Sequence, residues 1–194
     1  MNMPQLTPGA LKGLRVVEMG QLIAGPFAAK TLGDFGADVI KIEPPGAGDP
    51  LRNWRLIQDG TSVWWQVQSR NKRSIAIDLR SPEGQQIAKQ LIAQADVLVE
   101  NFRTGTLDQW GLDMPTLLAH NPRLIVLRLT GFGQTGPYAR KPGFARIFEA
   151  MSGLTHLSGE PDRPPQHTNY PMGDAISGLF GAFAIAAALV EIGR

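Results

Sequence analysis

Residues 14–45 read LRVVEMGQLIAGPFAAKTLGDFGADVIKIEPP, and the hydrophobic period changes along this stretch. Leu14 to Met19 is a short β-branched run that reads as a strand, followed by Gly20 and a Gly25-Pro26 break. Phe27 to Phe35 then takes a helical period and is closed by Gly36. Val39 to Ile42 is a second strand, ended by Pro44-Pro45. Strand, helix and strand in this compass are the start of a parallel sheet.

The alternation continues. Ser74 to Leu79 alternates apolar and polar residues as a third strand. Ser81-Pro82-Glu83 starts a helix, with serine at the N-cap and proline at the first helical position, running to about Ala95. Asp96 to Phe102 and Leu124 to Leu129 read as the fourth and fifth strands. The expected class is α/β: a Rossmann-like parallel sheet with flanking helices, in one unit over residues 1–194.

Beyond Gly131 the pattern changes. Gly131 to Pro137 is a glycine-rich loop and Phe144 to Leu157 a helix. Gly159 to Pro171 is a loop with prolines at 161, 164, 165 and 171, after which Asp174 opens a strongly apolar helix reaching Arg194. The small residues of that helix, Gly178, Gly181 and Ala182 among them, suit close packing against another element.

Composition narrows the function. The 194 residues are 43% hydrophobic and 19% charged, and 19 basic against 17 acidic residues give a formal charge of +2. So small a charge favours neither a nucleic-acid nor a membrane partner. With no cysteine, thiolate chemistry, disulfides and cysteine-ligated metals are excluded. Met1 to Lys12 has no apolar core of signal-peptide length, and the apolar run Leu179 to Ile192 is too short to cross a bilayer, so a cytoplasmic setting is expected. His120, His156 and His167 stand far apart, and no metal site is expected. Gly131 to Gly136 matches a G-x-G-x-x-G spacing, but Pro137 follows and no helix opens there, so it reads as a loop.

Four constellations could carry chemistry. Asp174 at the mouth of the apolar helix is either a plain N-cap or an ionised nucleophile able to attack a thioester carbonyl. Arg70-Asn71-Lys72-Arg73, with Arg80 beyond the third strand, could hold phosphate or form a solvated turn; alternation puts Lys72 and Ser74 opposite Arg73. Gln21 to Pro26, between the first strand and helix, lies where ligands sit in such sheets. So does Glu100-Asn101-Phe102-Arg103, where an aromatic beside an arginine could take an adenine ring. Trp54, Trp64 and Trp65 read as packing or interface residues.

Taken in order, these segments resemble the family III CoA-transferases, in their N-terminal half, from Leu11 almost to the C-terminus. The resemblance rests on Leu14 to Met19 followed by Ala24-Gly25-Pro26, on Ala37 to Glu43, Asn71 to Ser74, Asp96 to Phe102 and Gly173-Asp174. It implies a CoA-binding large domain without the small domain and C-terminal part of relatives about twice as long. It implies Asp174 as the catalytic carboxylate, passing through an aspartyl anhydride and an aspartyl-CoA thioester while CoA moves from an acyl-CoA to a small carboxylic acid. It places CoA, a substrate rather than a tightly bound cofactor, along Ile23-Ala24, Arg73, Ile77, Leu79-Arg80, Asn101-Phe102-Arg103 and Lys141, Gly143 and Phe144. It also implies an interlocked homodimer and no metal. Two departures stand out: Pro44 replaces an arginine frequent in the family, and Phe144-Ala145 replaces a common Tyr-Asp. The same fold occurs in α-methylacyl-CoA racemase, whose histidine falls at Phe144, and phenylalanine cannot relay a proton. A noncatalytic CoA-binding or dimer-scaffold protein is the reading from a different class.

Overall fold

The computed structural model describes residues 9–193. Residues 1–8 of the polar N-terminal segment, and Arg194, the expected end of the last helix, lie outside the described residues. The opening stretch forms β1 (Arg15–Glu18), α1 (Ala24–Asp34) and β2 (Asp38–Glu43). A short 3-10 helix (Pro50–Asn53), the small hairpin β3 (Ile57–Gln58) and β4 (Thr61–Ser62), and α2 (Val63–Gln68) lead to β5 (Lys72–Ala76). Then come α3 (Pro82–Ala93), β6 (Val97–Glu100), α4 (Thr106–Gln109), α5 (Met114–His120) and β7 (Ile125–Arg128). The chain continues through α6 (Ala145–Met151), α7 (Leu154–Leu157) and α8 (Met172–Glu191).

The sheet has the order β5-β2-β1-β6-β7, and every pairing in it is parallel. The chain winds outward from β1 through β2 to β5, then returns to the other side of β1 for β6 and β7. That reversal puts a crevice beyond the carboxyl ends of β1 and β6, where open α/β sheets bind ligands. Successive strand residues feed opposite faces. Val16, Val97 and Val99 join Ala28, Leu32, Ile185 and Leu189 in the core under α1 and α8. Val17 and Leu98 join Ile92, Leu107 and Leu117 in the core under α3, α4 and α5.

Local chemistry explains the element ends, including those that differ from the sequence expectations. Ser81 caps α3 as expected, its Oγ accepting the Gly84 N–H at 3.0 Å. α1 begins at Ala24 rather than Phe27, so Gly25-Pro26 lies inside its first turn, where the missing proline N–H would have no partner in any case. β5 covers Lys72–Ala76, two residues ahead of the expected start and ending sooner, because its partner β2 stops at Glu43 before Pro44-Pro45. The expected helix Phe144 to Leu157 divides into α6 and α7, since Gly153 takes a φ of +86°.

α8 starts at Met172, two residues before the expected opening, with Pro171 at the cap position and no side-chain cap. It is 20 residues long and its most apolar 18-residue stretch has a mean hydropathy of 1.8, so by length and composition it could cross a membrane, which corrects the expectation drawn from the shorter run Leu179 to Ile192. One face of this helix instead closes the core. A Cβ at Gly178 would come within 2.7 Å of the Ala24 carbonyl oxygen, so glycine lets α8 lie directly on α1. The other face, with Phe180, Phe183 and Val190, is exposed.

Candidate active site

The crevice beyond β1 and β6 is built from the turn between β1 and α1. Asn101, just past β6, clamps that turn: its Oδ1 accepts the Gln21 N–H at 2.7 Å and its Nδ2 donates to the Gln21 carbonyl at 2.9 Å. Leu22 sits at a φ of +60°, a costly conformation for a branched side chain, and donates its N–H to Asp49 Oδ1 at 3.1 Å. Beneath it lies a buried ionic network. Lys41 Nζ reaches Glu18 at 2.7 Å, Asp49 at 2.9 Å and the Gly20 carbonyl at 2.6 Å. Lys72 Nζ reaches Glu18 at 2.6 Å and the Pro26 carbonyl at 2.8 Å. Burial pushes the Glu18 carboxyl up, but the two ammonium groups outweigh it and hold it below its usual range. Burial likewise opposes the charge on Lys41, which Glu18 and Asp49 restore and strengthen. For Lys72 burial prevails and lowers its pKa. The network therefore fixes three backbone groups of one strained turn.

That turn is the floor of a cleft of about 420 Å³. Gln21 to Ala24, Asn101 to Thr104 and Ala139 to Phe144 line it together with Asp174 and Ser177 of α8. A second cavity of about 300 Å³ shares Gln21 and Phe102 with the first and runs past Ile77 to Arg80 and Pro44-Pro45. The two adjoin at Gln21 and Phe102 and form one track at the carboxyl ends of the strands. Phe102 stands where they meet, braced edge-on by Trp110 with ring centres 5.1 Å apart. Arg103, Arg140 and Lys141 line the first cavity and Arg80 the second, so cations lie along the whole track.

Asp174 is the third residue of α8, so it is not the N-cap that its sequence setting allowed. Among the described residues no hydrogen bond or ion pair engages its carboxylate. Burial first, and the charge of Glu149 second, push that carboxyl up to about 6. Glu149, on α6, is 4% exposed. Its Oε1 accepts the Gly173 N–H at 3.2 Å, and its Oε2 lies 3.8 Å from His167 Nδ1. Phe148 fills the space beside the glycine-rich loop: a Cβ at Gly131 or Gly143 would fall into its ring. Phe148 therefore accounts for glycine at positions 131 and 143. A carboxylate with free lone pairs, in the first turn of a long helix and lining a cavity that also holds cations, can act as a nucleophile toward an anionic ligand's acyl group.

Residues 11–194 match the family described as CoA-transferase family III. The chain belongs to this family. It is 50% identical over 186 residues to the succinyl-CoA–D-citramalate CoA-transferase of Chloroflexus aurantiacus, covering 95% of this chain and 46% of that protein. It is 41% identical over 200 residues to the succinate–glutarate CoA-transferase of Agrobacterium fabrum, covering 100% of this chain and 50% of that protein. A CaiB/BaiF family protein from Brucella suis superposes with a TM-score of 0.90 at 43% identity, over 95% of this chain and 50% of that one. The chain thus spans about half the length of the curated relatives it matches.

In this family III chain the first cavity gathers Ile23, Ala24, Asn101, Phe102, Arg103, Lys141, Gly143, Phe144 and Asp174 of the residues singled out from sequence. Ile77, Leu79 and Arg80 line the second. Arg73 is not brought to either. It sits at the start of β5, at the opposite edge of the sheet, where its guanidinium pairs with Asp38 at 2.6 Å. Its neighbours are engaged too, Arg70 with Asp34 and Lys72 with Glu18. Sequence reasoning missed Glu149 and Arg140. Glu149 had one signal, its place four residues after Ala145 on the same helix face, the two buried positions of α6. Among the described residues no group of three acidic or histidine side chains gathers to hold a metal.

Proposed function

We propose that this chain carries the CoA-binding and nucleophilic half of an enzyme that moves CoA from an acyl-CoA to a carboxylic acid through Asp174. The observation carrying this reading is the unpaired Asp174 carboxylate in a cavity that Arg103, Arg140 and Lys141 also line. An Asp174 oxygen attacks the thioester carbonyl, the carbon–sulfur bond breaks, and CoA thiolate leaves behind a mixed anhydride. The thiolate then attacks the aspartyl carbonyl, releasing the donor acid and leaving an aspartyl-CoA thioester. The acceptor carboxylate displaces the thiolate as a second anhydride, and the thiolate takes the acceptor's acyl group, which frees Asp174. No net proton moves. The track accommodates the extended CoA chain, with Arg80 and Arg103 toward its phosphates and Phe102 toward its adenine ring.

The relatives are named for succinate, citramalate and glutarate, which supports a dicarboxylic donor and acceptor here. A homodimer in the cytoplasm completes the proposal. Phe144 lines the cleft without a transferable proton, which counts against a racemase. The test is to incubate the chain with succinyl-CoA, trap with hydroxylamine, and locate the hydroxamate by mass spectrometry. The adduct is expected at Asp174 and absent in Asp174→Ala, which still binds CoA by calorimetry. Adduct formation that survives Asp174→Ala would refute the mechanism.

A further inference from the structure

We propose that Glu149 is a positioning residue for the nucleophile: it anchors the first turn of α8 through the Gly173 N–H, and its negative charge raises the free energy of the Asp174 carboxylate before acylation. The inference rests on the reading of Asp174 as the nucleophile.

The first N–H groups of a helix have no partner within the helix, and Pro171 offers no side-chain cap to α8. Glu149 supplies one from a different helix, its Oε1 accepting the Gly173 N–H at 3.2 Å, one residue before Asp174. A glutamine could accept the same bond without bringing a charge into a site that is 4% exposed, so the charge itself needs a reason. Acylation provides one. When the Asp174 oxygen bonds to the thioester carbon, its negative charge leaves with the departing sulfur, and the repulsion from Glu149 is relieved as the bond forms. Few charges facing Glu149 cancel this effect. From the proline-rich loop His167 Nδ1 stands 3.8 Å from its Oε2. Arg146, on α6 itself, donates instead to Asn169 Oδ1 at 3.3 Å. Arg103, Arg140 and Lys141 line the cleft that Asp174 faces.

Two variants separate anchor from charge. Glu149→Gln keeps an acceptor for Gly173 and removes the charge; Glu149→Ala removes both. The carboxyl carbon of Asp174 is titrated by carbon-13 NMR in the chain as it stands, and exchange of the Gly173 amide is followed in parallel. The Asp174 midpoint is expected to fall by roughly half a unit or more in Glu149→Gln, while Gly173 stays protected there and exchanges faster in Glu149→Ala. An unmoved midpoint in Glu149→Gln overturns the electrostatic role, and unchanged Gly173 exchange in Glu149→Ala overturns the anchor. A shifted midpoint in a chain that yields no hydroxamate at Asp174 would instead discard the nucleophile while retaining the Glu149 link.

Discussion

Asp174 titrates at about 6 instead of near 3.8 because burial and the Glu149 charge both disfavour its ionised form. The consequence for stability has a definite sign. Below the unfolded value both states hold the proton and nothing is lost. Between that value and about 6 the folded state keeps a proton that the unfolded state gives up, and above 6 the folded chain carries the full penalty of an ionised, half-buried carboxylate. Asp174→Asn should therefore unfold at a higher temperature than the wild type at pH 8 and match it near pH 4; a lower midpoint at pH 8 would contradict this account. The proposed nucleophile thus lowers the stability of the folded chain above pH 6. Asp174 could be singled out in the sequence because a glycine and a proline-rich loop deliver it to an apolar helix, while its catalytic role came from the family resemblance. Glu149 could not, since its role depends on two helices meeting. Arg73, the second residue of its strand, lies at the amino end of β5, whereas a parallel sheet offers ligands the other end. Arg80, which follows the strand, lines the cavity at that other end.

The elements depend on two contacts that tie the site to the scaffold. At the first, α8 lies on α1 through Gly178, with the Ala24 carbonyl and Phe27 Cβ against the space a side chain would need. Gly178→Val should cost about 1–3 kcal/mol by overpacking and should displace Asp174, one turn earlier, along with the helix; chemical denaturation and the yield of trapped adduct read the two effects. The second is the buried network under Leu22. Lys41→Ala leaves Glu18 and Asp49 short of a cation, and a loss of about 3–5 kcal/mol in denaturant unfolding is expected. A loss below 1 kcal/mol would mean that water or Lys72 compensates. Element type was legible wherever one period ran unbroken, as in β1, β2 and α3. It failed where a single backbone property decided: Pro26 accepted into a first turn, Gly153 turning the chain at positive φ, β5 released when its partner met two prolines. The hairpin β3–β4 was not read, because two residues per strand leave no period to detect.

At the scale of the whole molecule, alternating strands and helices implied a parallel sheet, but not its order. Order β5-β2-β1-β6-β7 comes from which helix covers which face, and it alone places Gln21 beside Asn101. One feature of the assembled chain is out of balance with a soluble monomer. α8 turns Gly178, Ala182, Ile185 and Leu189 inward, while Phe180 is 68% and Phe183 72% exposed on its other side. An apolar face of that kind marks a surface that another element or chain covers. In the proposed homodimer the second copy covers it. Sedimentation velocity should then show the chain self-associated, and the double variant Phe180→Asp, Phe183→Asp should run as a monomer. Because both rings are already mostly in water, the variant's unfolding temperature at low protein concentration should match that of the wild type. A monomeric wild type would exclude this face as the dimer contact, whereas a variant that unfolds early would show that the rings belong to the core of their own chain.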